Sequence, residues 1–222
     1  MEDAFQTTVT LRSLVRTPRS EPGAPLVIAL HGWGMTARAF GRWLKPGIER
    51  GGLSWWFPRG ILPCEVSGAQ RRRIGYAWYV FDGNQERLRG SMDEARAYLV
   101  ALAGNARRAL RPSSISLLGF SQGGYLASYV ALTRPDLFSG LVCCGGRPKS
   151  EFVDDLSAAR DVRILVQSGA QDTSVSPELI DKGVRPLVEA SLDVTSRSYD
   201  TGHTLSPEMA TDAAEFLTRP RR

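Results

Sequence analysis

The stretch Ile115-Ser116-Leu117-Leu118-Gly119-Phe120-Ser121-Gln122-Gly123-Gly124 decides the fold. It opens on a short apolar run that reads as a strand buried on both faces, and it runs into a helical pattern from Gly123 to Arg134. Between the two lies Gly-x-Ser-x-Gly, with Ser121 at its centre. A serine on a sharp strand-to-helix turn is the setting of a nucleophile elbow. Glycines two before and two after leave room for neighbouring backbone. The helix N-terminus turns positive charge density toward an anion developing at the serine.

The same unit recurs outward in both directions. Leu26 to Leu30 is a continuous apolar run ended by His31-Gly32, and Ser54-Trp55-Trp56-Phe57 stops at Pro58. Leu141 to Cys144 stops at Gly145, Ile164-Leu165-Val166 runs into Ser168-Gly169, and Val194 to Tyr199 is the last strand candidate. Helical patterns fill the gaps: Ser91 to Leu110, Pro177 to Ala190 and Pro207 to Leu217. Ser91 with Glu94 forms a capping box that would start the first of these. Phe5 to Val15 alternates and reads as an opening strand or hairpin, and Pro18 to Pro25 as a turn. Short apolar strands alternating with amphipathic helices predict an α/β domain, a mostly parallel twisted sheet with helices on both faces. No linker or repeat divides residues 1–222, so one domain is expected, with Arg219 to Arg222 as a frayed basic tail.

One segment breaks the rhythm. Arg59 to Arg89 has no clear period and reads as a long loop, including the run Arg71-Arg72-Arg73. Its aromatics, Tyr76, Trp78, Tyr79 and Phe81, argue for a functional loop rather than disorder. They are expected either to border a substrate pocket or, for Trp78 and its neighbours, to anchor the loop to the core.

A serine at its ordinary pKa needs a base. The chain has 2 histidines, His31 and His203. His203 lies in Gly202-His203-Thr204, after the last strand, where a loop would hang over the sheet edge beside Ser121. His31 directly follows a strand, and its expected role is to hold the loop His31-Gly32-Trp33-Gly34 by hydrogen bonds. The orienting acid should end a strand between serine and histidine, and Asp172 fits. Asp200 competes by closeness to His203, but the acid must meet Nδ1 while Nε2 faces the serine, which favours a neighbouring strand end. The backbone amides of Gln122 and Trp33 are the candidate oxyanion donors.

The 222 residues suffice for a real core, and a chain of this size buries roughly 70% of its unfolded surface. No apolar run approaches the ~20 residues of a membrane span. The first ten residues carry no basic n-region, and the 3 cysteines, two of them adjacent, suit no disulfide framework or zinc site, so a cytoplasmic protein is expected. The net charge of +5 is carried almost entirely by arginine scattered along the chain, which makes no basic stripe for nucleic acid. No cofactor or metal is expected, and the oligomeric state stays open.

Taken together, His31-Gly32-Trp33-Gly34, Gly119 to Gly124, Asp172 and Gly202-His203-Thr204 resemble the phospholipase/carboxylesterase family, over about Leu26 to Leu217. That family includes acyl-protein thioesterases, lysophospholipases and small bacterial carboxylesterases. The resemblance implies an α/β-hydrolase fold, oxyanion amides at Trp33 and Gln122, and Trp78 near the acyl groove; Tyr76 of the aromatic segment and Met35 are the further candidate substrate contacts. Met35 stands where thioesterase members usually carry an aspartate, and the stretch Gly75 to Gly83 looks more like the bacterial esterase branch. Only Arg147 to Asp161 follows the strand where lids commonly insert, so no large cap domain is expected. The implied function is hydrolysis of small to medium acyl esters through an acyl-enzyme. Thioester or lysophospholipid cleavage on the same triad is the alternative, and a non-catalytic binding protein a further one.

Overall fold

The computed structural model describes residues 13–16, 23–67 and 72–219. Its strands and helices run β1 (Ser13–Arg16), β2 (Leu26–Leu30), α1 (Ala37–Trp43), α2 (Lys45–Glu49), β3 (Ser54–Pro58), β4 (Leu62–Ser67) and β5 (Arg72–Ala77). They continue α3 (Gln85–Leu110), β6 (Ile115–Phe120), α4 (Gln122–Thr133), β7 (Gly140–Cys144), β8 (Arg163–Gly169), α5 (Pro177–Glu189), β9 (Val194–Tyr199) and α6 (Pro207–Thr218). The main sheet has the order β1-β3-β2-β6-β7-β8-β9. Strand β1 is antiparallel at one edge, and the other pairings are parallel.

Alternation along a strand sends successive side chains to opposite faces, and β2 shows why its run is apolar throughout. Leu26, Ile28 and Leu30 enter one core with α3, α4 and Leu187 of α5. Val27 and Ala29 enter the other, with Phe40 of α1 and Met209, Ala210 and Ala213 of α6. The expected doubly covered parallel sheet is present. Between Gly146 and Arg163 the chain makes only two 3-10 turns, Ser150–Phe152 and Leu156–Ala159, so no large cap covers the sheet edge. Among the described residues no helix is long and apolar enough to cross a membrane.

Two readings need correction. The segment after Arg59 is not a loop: β4 and β5 form an antiparallel hairpin, and Arg72 and Arg73 lie on its second strand. Its signal is faint because only Leu62, Cys64 and Val66 alternate inward on β4, and β5 begins with three exposed residues. Helix α3 starts at Gln85 rather than Ser91. Asn84 caps it, its side chain accepting from the Arg87 N–H at 2.9 Å, and Ser91 sits inside the helix, accepting from the Val80 N–H at 3.1 Å. The opening alternation is a strand only over Ser13–Arg16 as described; residues 5–12, the turn residues 18–22, Arg71 and the last residues of the basic tail lie outside the described residues.

The hairpin docks on the loop after β2. Gly34 N–H donates to the Tyr76 carbonyl at 2.9 Å and Tyr76 N–H to the Met35 carbonyl at 3.1 Å. Gly75 allows this approach, since a Cβ there would lie 2.2 Å from the Gly34 carbonyl oxygen.

Candidate active site

Strand β6 delivers Ser121 at its carboxyl end, where ligands collect in open α/β sheets. Ser121 has φ 52° and ψ −121°, a strained conformation for a residue with a side chain. The strain redirects the hydroxyl. A serine before a helix ordinarily caps it, but Ser121 makes no such bond. Its Oγ instead lies 2.9 Å from His203 Nε2. Gly123 lets the turn close against β2, because a Cβ there would lie 2.2 Å from the Leu30 carbonyl oxygen.

His203 sits on the loop between β9 and α6, its ring against Phe120 at 5.1 Å. Its Nδ1 is 2.7 Å from Asp172 Oδ2. Asp172 follows β8, and its side chain is 1% exposed. Its Oδ1 accepts from the N–H groups of Ser174 at 2.8 Å and Val175 at 3.0 Å. Burial alone would raise this carboxyl's pKa; the hydrogen bonds from His203, Val175 and Ser174 outweigh it and hold the group below its ordinary value. With an ionised acid at Nδ1, the ring keeps Nε2 free to accept the serine proton. Asp200 does not reach the ring and takes a hydrogen bond from the Gln171 side chain.

His31 is fully buried. Its Nδ1–H donates to the Gly32 carbonyl at 2.8 Å, and its Nε2 accepts from the Gly60 N–H at 3.0 Å. Burial lowers its pKa to about 4, against the hydrogen bond to Gly32, so the ring is neutral. Cys143 is also sealed in, its thiol pushed up to about 12 by burial. It supplies no competing thiolate.

A cavity of about 380 Å³ opens beside Gln122. Tyr79 and Phe81 line it, with Leu88 and Met92 of α3, Tyr125 of α4 and Trp33 at its rim. Gln85, Arg147, Lys149 and Leu179 complete the wall. Of the aromatic segment, only the latter part therefore faces the cavity. Trp78, Tyr76 and Met35, expected to contact substrate, do not line it. Trp78 is completely buried and donates its indole N–H to the His31 carbonyl at 2.7 Å. Tyr76 lies under the Arg59 guanidinium, 4.7 Å from its ring centre, and Met35 packs into the core beneath Gly32.

The Gln122 side chain was not singled out in the sequence beyond its amide. Its Oε1 accepts from the Trp78 N–H at 3.0 Å and its Nε2 donates to the Tyr79 carbonyl at 2.9 Å, stitching the cavity wall to the serine turn. Arg147 and Lys149 were also missed; two cations just past the Gly145-Gly146 end of β7 were the available signal.

The sequence profile of the phospholipase/carboxylesterase family matches residues 13–219. The chain belongs to the phospholipase/carboxylesterase family. Solved structures agree on the fold of this family member. Esterase PE8 superposes with a TM-score of 0.77 at 21% identity, covering 94% of this chain and 98% of that one. The Bacillus cereus carboxylesterase gives 0.74 at 15% identity over 93% of each chain. Zea mays acyl-protein thioesterase 2 gives 0.72 at 20% identity, covering 94% and 98%. Among curated proteins no sequence match is found. The phospholipase/carboxylesterase member thus has the α/β-hydrolase fold expected of it, without a large cap.

Proposed function

We propose that this family member is a serine esterase. Ser121 attacks the ester carbonyl, His203 takes its proton through Nε2 and returns it to the leaving alcohol, and Asp172 holds the ring and stabilises the imidazolium. Water, activated by the same histidine, then releases the acid from the acyl-enzyme. The observation that carries this reading is the unbroken chain of contacts, Asp172 to His203 at 2.7 Å and His203 to Ser121 at 2.9 Å, ending on a strained serine at a helix N-terminus.

The amides of Trp33 and Gln122 would receive the oxyanion. Neither N–H donates to an acceptor among the described residues. The cavity suits small to medium acyl chains, with Leu88 and Met92 as its apolar floor. Three unbridged cysteines fit a reducing, cytoplasmic setting. Thioesters would meet the same machinery. The deciding experiment is a panel of esters and thioesters of graded length, run beside fluorophosphonate labelling. Labelling at Ser121 with ester turnover supports the reading, and an inert serine removes it.

A further inference from the structure

One wall of the cavity beside Gln122 differs chemically from the rest. Leu88, Met92, Tyr79 and Phe81 make it apolar, yet Arg147 and Lys149 also line it. Both are nearly buried, at 7% and 4% exposure. Burying two cations is costly unless anions or hydrogen bonds compensate them.

Glu151 compensates only one. It accepts from Arg147 Nη1 at 2.9 Å and Nη2 at 2.7 Å, and from Lys149 Nζ at 2.7 Å. Those two cations hold its carboxyl down to about 2 against the opposing effect of burial, so it carries a full charge. Two cations against one carboxylate leave one net positive charge. No acidic residue is among the residues lining the chamber.

The donors are also not exhausted. A guanidinium has five N–H groups and an ammonium three. The Glu151 and Pro148 bonds engage Nη1 and Nη2 of Arg147 and leave its Nε–H aside. Beyond Glu151, Lys149 Nζ makes a long bond to Gln85 at 3.4 Å and lies 4.2 Å from the centre of the Phe152 ring, which takes up none of its N–H donors as a hydrogen bond to oxygen would. The pair also sits close to the serine turn. Gly146, next to Arg147, packs so that a Cβ there would lie 3.1 Å from the Ser121 carbonyl oxygen.

We propose that Arg147 and Lys149 form a carboxylate subsite, so that preferred substrates are esters whose cavity-bound half ends in a second, negatively charged carboxylate beyond a short apolar spacer. This rests on the reading of the Ser121 site as an ester hydrolase. The apolar walls hold the spacer, and the two cations take the carboxylate through charge-assisted hydrogen bonds in a site shielded from water.

The test compares kcat/KM for p-nitrophenyl monoesters of glutaric, adipic and suberic acids with their methyl-capped neutral counterparts. A second arm places the carboxylate on the alcohol, as in the butyrate ester of 4-hydroxybenzoate against that of its methyl ester. A preference of about tenfold or more for the anionic member in either arm supports the subsite, since hydrogen bonds to charged groups are worth that much. The arm that shows it identifies which half of the ester enters the cavity. In Lys149→Met and Arg147→Met the anionic-to-neutral ratio should fall toward one, with Arg147→Lys retaining part of it. Neutral esters cleaved as well as or better than anionic ones would overturn the subsite and leave the hydrolase reading standing. Should no ester be cleaved, the hydrolase reading fails, and calorimetric titration with free glutarate against neutral glutaramide decides the subsite. Glutarate binding that Lys149→Met abolishes supports it, and no binding overturns it. The titration and Lys149→Met also decide if Arg147→Met does not fold.

Discussion

Gln122 and Trp78 are joined at 3.0 Å, main-chain N–H to side-chain oxygen, so the residue after the candidate nucleophile also holds the segment that walls the cavity. Gln122→Ala removes this bond and the 2.9 Å bond to the Tyr79 carbonyl. The loss should be about 1–3 kcal/mol of stability, with a wider range of acyl chains accepted because Tyr79 and Phe81 are released. Denaturant unfolding and an ester panel measure both; unchanged stability with unchanged selectivity would count against the coupling.

Ser121→Ala should abolish fluorophosphonate labelling and cut turnover by ~10³-fold or more. It should also not destabilise the fold by more than a small amount, because among the described residues the Oγ bonds only to His203. Stoichiometric labelling of the alanine variant would show another nucleophile.

Asp172→Asn should keep the fold but let the ring take the wrong tautomer, lowering turnover by up to ~10⁴-fold. Asp200→Asn should cost within roughly 10-fold, as its carboxylate meets Gln171 rather than the ring. Turnover of the two variants side by side separates the assignments, and the reverse ranking would transfer the acid's role to Asp200.

Trp78→Ala should lose roughly 3–5 kcal/mol, the cost of emptying a buried aromatic site, with the indole bond to His31 lost as well. Chain-length preference should respond instead to Leu88, which lines the cavity. Leu88→Phe should shift the optimum to shorter acyl chains. A shifted optimum in Trp78→Ala at unchanged thermal stability would return that residue to the substrate.

His31 adds a pH dependence to stability. Its folded pKa is lowered to about 4 from 6.5, so the unfolded chain binds the extra proton between those values. Its contribution is full above pH 6.5, declines as pH falls, and stops declining below about 4, a loss on the order of 3 kcal/mol at most. His31→Gln should flatten the unfolding midpoint over this interval. A wild-type slope that persists in the variant would assign the effect elsewhere.

The parts of the site that were legible before folding are those written locally. Ser121, Asp172 and His203 each follow a recognisable strand, and their chain order leaves few choices when the chain holds 2 histidines. Of the cavity only Tyr79 and Phe81 were legible as wall residues; Gln85, Leu88, Met92, Tyr125, Arg147, Lys149 and Leu179 join them only through the packing of helices on the sheet. For Trp78 the two readings divide on register: an aromatic in an aperiodic stretch can face a pocket or anchor it, and one residue separates buried Trp78 from cavity-lining Tyr79. The hairpin escaped notice because its inward positions are few, and two of its three charged residues, Arg72 and Arg73, lie on β5.

The loops that carry acid and base are sewn together by main-chain bonds, Ala170 N–H to the Tyr199 carbonyl at 2.7 Å and Gln171 N–H to the Thr201 carbonyl at 2.9 Å. Ser121 belongs to a different seam, its N–H bonded to the Cys144 carbonyl at 2.9 Å. Heating should therefore part the site along one line, with the aspartate–histidine pair travelling as a unit and the serine left behind. Inactivation would then precede loss of the downfield Nδ1 proton resonance of His203, and the enzyme would fail first by a widened gap rather than by a melted core.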